Sequence, residues 1–245
     1  QYLNSWSDSS SGNSGNGGQI TLNAEQISHS NAQKITINTF SVGQTGSKKA
    51  GEVNITTNNL SNTDILTLSS HSESGKVTIE SKTQEPLQIK DSSIITSEQV
   101  TVEIFGRPRQ IETGDTQSGD VSINSSGDLN LSNVTIESDT KSNQAAGEVN
   151  IYSRGNITLD NTDVISTTSS RGNAGQITIT TPQNIELTNN STLQADTQGS
   201  GKAGTIKVQS QTLNLDEKTS LTTRTSGAGA PGKIEIKAET IDIGK

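Results

Sequence analysis

Apolar residues in this chain recur as pairs separated by one polar residue, and each pair follows a glycine at a fixed distance. The phrase reads "GQITL" at 18–22, "GEVNI" at 51–55, "GKVTI" at 75–79 and "GDVSI" at 119–123. It returns as "GEVNI" at 147–151, "GQITI" at 175–179, "GTIKV" at 204–208 and "GKIEI" at 232–236. Alternation of Ile, Val and Leu with a period of two is the signature of a half-buried strand, and helical spacing is absent. Further along each unit comes a second alternating pair, as in Leu129/Leu131, Ile157/Leu159, Ile185/Leu187, Leu213/Leu215 and Ile241/Ile243. A third apolar stretch then begins at Val134, Val164, Leu193 or Leu221. Each unit is therefore predicted to hold three short strands with one face turned inward.

From Gly18 onward the steps between these glycines are 33, 24, 44, 28, 28, 29 and 28 residues. Three short strands cannot enclose a core alone, but stacked units can, because each strand then pairs with its counterpart in the next unit. The inward side chains line up as ladders down a narrow interior. The predicted fold class is all-β, a right-handed parallel β-helix with one coil per 28-residue repeat. The hand follows from the right-handed preference of crossovers between parallel strands. About eight coils at roughly 4.8 Å each would give a body on the order of 35–40 Å long. A β-sandwich is the competing fold; it calls for turns every ~8–12 residues and no long period.

The corners carry their own signal. Two residues after the second-strand Leu stands an asparagine, at Asn62, Asn133, Asn161 and Asn189. Asparagine tolerates the left-handed backbone and bonds its own main chain, which suits a sharp corner. Stacked in register, such amides can bond one another along the axis. Asp91 fills this place in its unit, and Glu217 departs from the pattern. A second corner precedes each anchor glycine: "NQAAG" at 143–147, "GNAG" at 172–175 and "GKAG" at 201–204. Small residues there let the chain close tightly.

Composition changes this picture little. Only 27% of residues are hydrophobic and 2% aromatic, a profile close to that of disordered chains. Their regular placement argues against disorder, since a thin interior needs few apolar residues. The net charge of −8 disfavours nucleic acid as a partner, because binding needs a basic footprint. No apolar run is long enough for a membrane helix, so no direct membrane insertion is expected. With no cysteine, disulfides and thiolate metal sites are excluded. The chain opens at Gln1 without an apolar leader, which reads as a processed or excised piece of something longer.

The stretch "RGNAGQITITTPQNIELTNNSTLQADTQGSGKAGTIKV", 171–208, resembles the repeats of filamentous-haemagglutinin-like large exoproteins of the two-partner secretion family. The likeness is greatest to cyanobacterial versions, and it covers roughly residues 18–245, weakening between 80 and 118. The resemblance implies a secreted or cell-surface bacterial protein, with a β-helical shaft serving adhesion, surface display or matrix assembly. It implies a cell-surface or matrix glycan or protein as partner, and end-to-end or lateral self-association. The amino-terminal secretion module of that family is not visible here. The repeat specifies a scaffold rather than an activity.

Two segments are irregular. Residues 1–17, "QYLNSWSDSSSGNSGNG", read as a flexible linker or end segment, with Tyr2 and Trp6 placed to cap an open coil end. The rest, 18–245, reads as one β-helix with an insertion at about 96–118. In that insertion Val100, Val102 and Ile104 alternate like an added strand, and "FGRPR" forms a tip. Phe105, Arg107 and Arg109 are the candidate contact loop, against the plainer reading of a tolerated surface insertion.

Catalytic chemistry is weakly signalled. "NTD" at 62–64 and 161–163 resembles part of a polygalacturonase motif, but a corner role explains Asp64 and Asp163 more simply. The companion aspartate pair is missing, and His29 and His71 stand in no recognisable constellation. A carbohydrate-binding or carbohydrate-active β-helix is the alternative to the non-enzymatic shaft. Asp115 and Asp120 in "TGDTQSGD" lack calcium-loop spacing. No cofactor and no metal are therefore expected.

Overall fold

The computed structural model describes residues 1–9, 15–29, 33–43, 48–96, 101–104, 107–110 and 116–244. Residues 8, 9, 43, 101–104 and 107–110 are described by their backbone alone. The chain is a parallel β-helix. The first strands of successive coils form an eight-stranded sheet, from Ile20–Asn23 through Val149–Ser153 and Gln176–Thr180 to Lys233–Lys237. The second and third strands share a fourteen-stranded sheet that bends at the asparagine corners. In Leu87–Ile95 and Leu129–Glu137 the second and third strands run together without a break.

Every pairing between coils is parallel among the described residues, and the register follows the repeat. Val121 pairs with Val149, Val149 with Ile177, Ile177 with Ile206, and Ile206 with Ile234. The second strands stack likewise, Leu129 on Ile157 on Ile185 on Leu213. These side chains are fully buried up to the last coils and form one apolar cluster running along the axis. In the third strand the register differs by two residues from the apolar pattern alone. Ile136 pairs with Val164, so Val134 fills a place taken by Thr162 and Ser191 in the next two coils.

Between the apolar columns the bore is lined with hydroxyls. The inward alternation of the first strand continues into Thr57, Ser81, Ser125, Ser153 and Thr181, all buried. Ser153 Oγ donates to the Gly127 carbonyl at 2.6 Å, and Ser125 Oγ to the Asp128 carbonyl at 2.9 Å. The third strand does the same at the next bend. Ser138 Oγ donates to the Gly119 carbonyl and Ser166 Oγ to the Gly147 carbonyl, each at 2.8 Å. The Gly127 and Asp128 carbonyls also accept from the Gly155 and Leu87 amides, at 3.1 and 2.8 Å, so there the hydroxyl fills a second lone pair. Each bond gives a buried hydroxyl its partner and contributes roughly 0.5–1.5 kcal/mol.

The anchor glycines have a steric reason rather than a conformational one, since none takes a positive φ. A Cβ on Gly51, Gly75, Gly147 or Gly175 would drive into the carbonyl of the anchor glycine one coil earlier. Main chain therefore stacks directly on main chain at this bend.

The opening segment and the insertion depart from the coil pattern. Tyr2–Ser9 is a strand, paired in parallel over all eight of its residues with Ile35–Gly43. In the insertion Thr101–Ile104 and Arg107–Gln110 form a separate two-stranded antiparallel ladder.

Two substitutions test the stack. Ile177→Asp places an unpaired charge in the bore and is expected to cost several kcal/mol or abolish folding, read by thermal denaturation. Gly147→Ala forces two coils apart at one bend and is expected to cost about 1–3 kcal/mol; an unchanged melting temperature would refute the close-stacking account.

Candidate functional site

The corner asparagines sit where the left-handed backbone is required. Asn62, Asn133, Asn161 and Asn189 have φ of 52°, 54°, 47° and 54°, and Asp91 has 50°. Asn161 Nδ2 donates to Asn133 Oδ1 at 2.8 Å, and Asn133 Nδ2 to Asp91 Oδ1 at 2.9 Å, which makes an amide ladder on the outer edge of the rod. The ladder shifts at the next coil, where Asn190 also has a positive φ and Asn189 Nδ2 turns to Asp160 Oδ1 at 2.6 Å. In the coil with Glu217, the turn is held by Asp216 instead. Its carboxylate accepts from the Asn189 and Lys218 amides at 2.7 and 2.9 Å. Those bonds, led by that from Asn189, hold the Asp216 carboxyl below its ordinary range.

A second outer ladder had no counterpart in the sequence reading. Asp128 Oδ1 accepts from the Asn156 amide at 2.7 Å, and Asn156 Oδ1 from Asn184 Nδ2 at 3.1 Å. Its signal is the Asp or Asn that precedes Leu129, Ile157 and Ile185 at one fixed place.

The candidate contact loop can be placed only in part. Arg107 and Arg109 belong to the antiparallel pair, opposite Ile104 and Val102, while Phe105 lies outside the described residues. Asp115 lies outside them as well, and Asp120 Oδ1 accepts from the Glu148 amide at 2.8 Å. Among the described residues no cluster of three or more His, Cys, Asp or Glu side chains could hold a metal ion.

The two "NTD" aspartates are not brought together. Both point outward from the third strand in one column, which runs Asp64, Ser93, Thr135, Asp163. Three coil steps amount to roughly 14 Å, beyond the ~5–9.5 Å that separates the working carboxylates of glycosidases. Asp64 is also engaged, with Lys34 Nζ at 2.6 Å and Ser93 Oγ at 2.5 Å. His71 Nδ1 lies 2.9 Å from the hydroxyl of Ser70.

A groove of about 510 Å³ runs along the axis, between the end of the third strand and the loop that returns to the anchor glycine. It spans four coils, whose main chains are tied by the parallel bridges Thr140–Thr168, Thr168–Thr197 and Thr197–Thr225. Asp139, Thr167, Asp196 and Arg224 follow one another along one wall; Lys141, Ser169, Gln198 and Ser226 follow one another along the other. Asp196 is buried, accepting from the Arg224 amide at 2.5 Å, from Gln194 Nε2 at 2.9 Å and from Arg224 Nε at 3.4 Å. At the margin stands the half-buried Glu137. Burial, with Asp139 and Asp163 nearby, raises its carboxyl above the ordinary glutamate value.

Scans of protein-family models, curated proteins and solved structures found no match to this chain.

The two shifted carboxyls act in opposite directions. Glu137 binds its proton more tightly folded than unfolded, so its ionised form opposes folding above its raised pKa, and that penalty disappears as pH falls toward 4.5 and below. Asp216 contributes stability above the usual aspartate range and loses it as pH falls through its lowered value. Glu137→Gln is therefore expected to melt higher than the parent at pH 7, with the gap closing near pH 4; a gap that widens on acidification would refute the assignment.

Proposed function

We propose that this chain is a non-enzymatic shaft segment of a bacterial surface or secreted exoprotein, acting in adhesion, surface display or extracellular assembly. The observation that supports it best is the unbroken parallel register of the first sheet through eight strands. Such a body has one repeated cross-section, and what it supplies is length and stiffness. The filamentous-haemagglutinin-like pattern at 171–208 supports the extracellular setting. The separation of Asp64 from Asp163 removes the one pair of residues that suggested glycoside hydrolysis. The net charge of −8 speaks against nucleic acid, and among the described residues no helix is long and apolar enough to cross a membrane.

Antibody raised against the chain is expected to label intact cells of the producing bacterium or its culture medium, and mild protease treatment of whole cells to remove the cell-bound signal. Labelling confined to lysed cells would overturn the proposal. Incubation with acidic polysaccharides is expected to release no oligosaccharide; release that is lost in Asp64→Asn or Asp163→Asn would replace the shaft by an enzyme.

A further inference from the structure

The four-coil groove has features that a bare spacer does not need. A shaft requires inward columns and sealed corners, yet here the outer surface is hollowed to about 510 Å³, a size ordinary for ligand clefts. Three of its four coils line the walls with neutral polar groups: Thr167, Ser169, Gln194, Gln198 and Ser226 offer hydroxyls and amides, each able to donate or accept, while the first coil presents Asp139 and Lys141.

Three observations narrow the ligand. First, the main chain of the floor is already spent. The Thr140 amide donates to the Thr167 carbonyl, Thr168 to Asp196 and Thr197 to Arg224. An extended peptide adding as a strand would need those groups open. Second, the charges balance. Asp139 and Asp196 are matched in number by Lys141 and Arg224, and Arg224 is held against the buried Asp196. A strongly anionic or cationic chain gains no field from such a wall. Third, the groove is linear and periodic, with one set of side chains every ~4.8 Å over a length of roughly 14 Å. A ligand that uses it fully is itself linear, with hydroxyl groups recurring at about that interval.

We propose that this groove binds an uncharged, linear polysaccharide lying along the rod axis, one sugar unit to each coil. No aromatic side chain lines the groove, so binding is by hydrogen bonds. Such a site is weak for a short chain and gains with each coil engaged. The proposal concerns the chain itself and holds wherever the protein resides.

Titration of the intact chain with neutral oligosaccharides of two to eight units, from cellulose, β-1,3-glucan and chitin, tests this by calorimetry or by NMR line shape. Affinity for at least one series is expected to climb with length up to about four units and then level off. Thr167→Ala, Ser169→Ala and Gln198→Ala each remove an outer group without touching the bore. Each is expected to weaken binding about two- to tenfold while leaving the melting temperature unchanged. Absence of binding in all three series overturns the proposal. So does binding that ignores chain length or these substitutions, and so does a preference for acidic polysaccharide or for an extended peptide. None of these outcomes bears on surface location, which the labelling experiment reads separately.

Discussion

Everything in this fold depends on parallel pairing that ties each residue to its own counterpart one repeat later. The bond between coils fixes Val149 over Val121 and under Ile177, so each kind of side chain must pack on a copy of itself. Aliphatic residues, hydroxyls, amides and bare main chain can all do this, and each has its own column. The anchor glycines are the extreme case, because nothing larger than hydrogen fits where one backbone rests on the next. Departures are absorbed at the outside. The 29-residue step accommodates its additional residue at the corner where Asn189 and Asn190 are both left-handed, and the inward columns pass it undisturbed.

The same constraint explains a composition that otherwise suggests disorder. The interior is only as wide as two facing side chains, so Ile, Val and Leu are needed on its flats alone. Ser and Thr take the bends, where their hydroxyls donate to main-chain carbonyls. A high content of small polar residues is thus the material from which the inside of this rod is made.

Much of the fold could be read from the chain because strict register writes itself into sequence as repetition. The glycine-led phrase located the first strands, and Asn62, Asn133, Asn161 and Asn189 occupy left-handed corners. The hydroxyl columns were equally visible, as the third member of the same alternation, but Ser and Thr do not register as buried residues in a search for apolar ones. Val134 misled for the converse reason, being apolar in a place where neighbouring coils carry a hydroxyl. The strand Tyr2–Ser9 is polar, and it is recognisable only through the partner strand that receives it. The groove left no trace in the pattern. It arises from how four loops fold back, and side chains that face solvent are free to vary without disturbing the repeat.

The mixed lining of the bore also governs how this protein meets temperature. Unfolding a thick hydrocarbon core raises the heat capacity sharply, whereas exposing hydroxyls and peptide groups lowers it. A bore in which hydrocarbon flats alternate with hydroxyl bends surrenders little oily surface for each residue released. A small heat-capacity change of this kind flattens the curve of unfolding free energy against temperature.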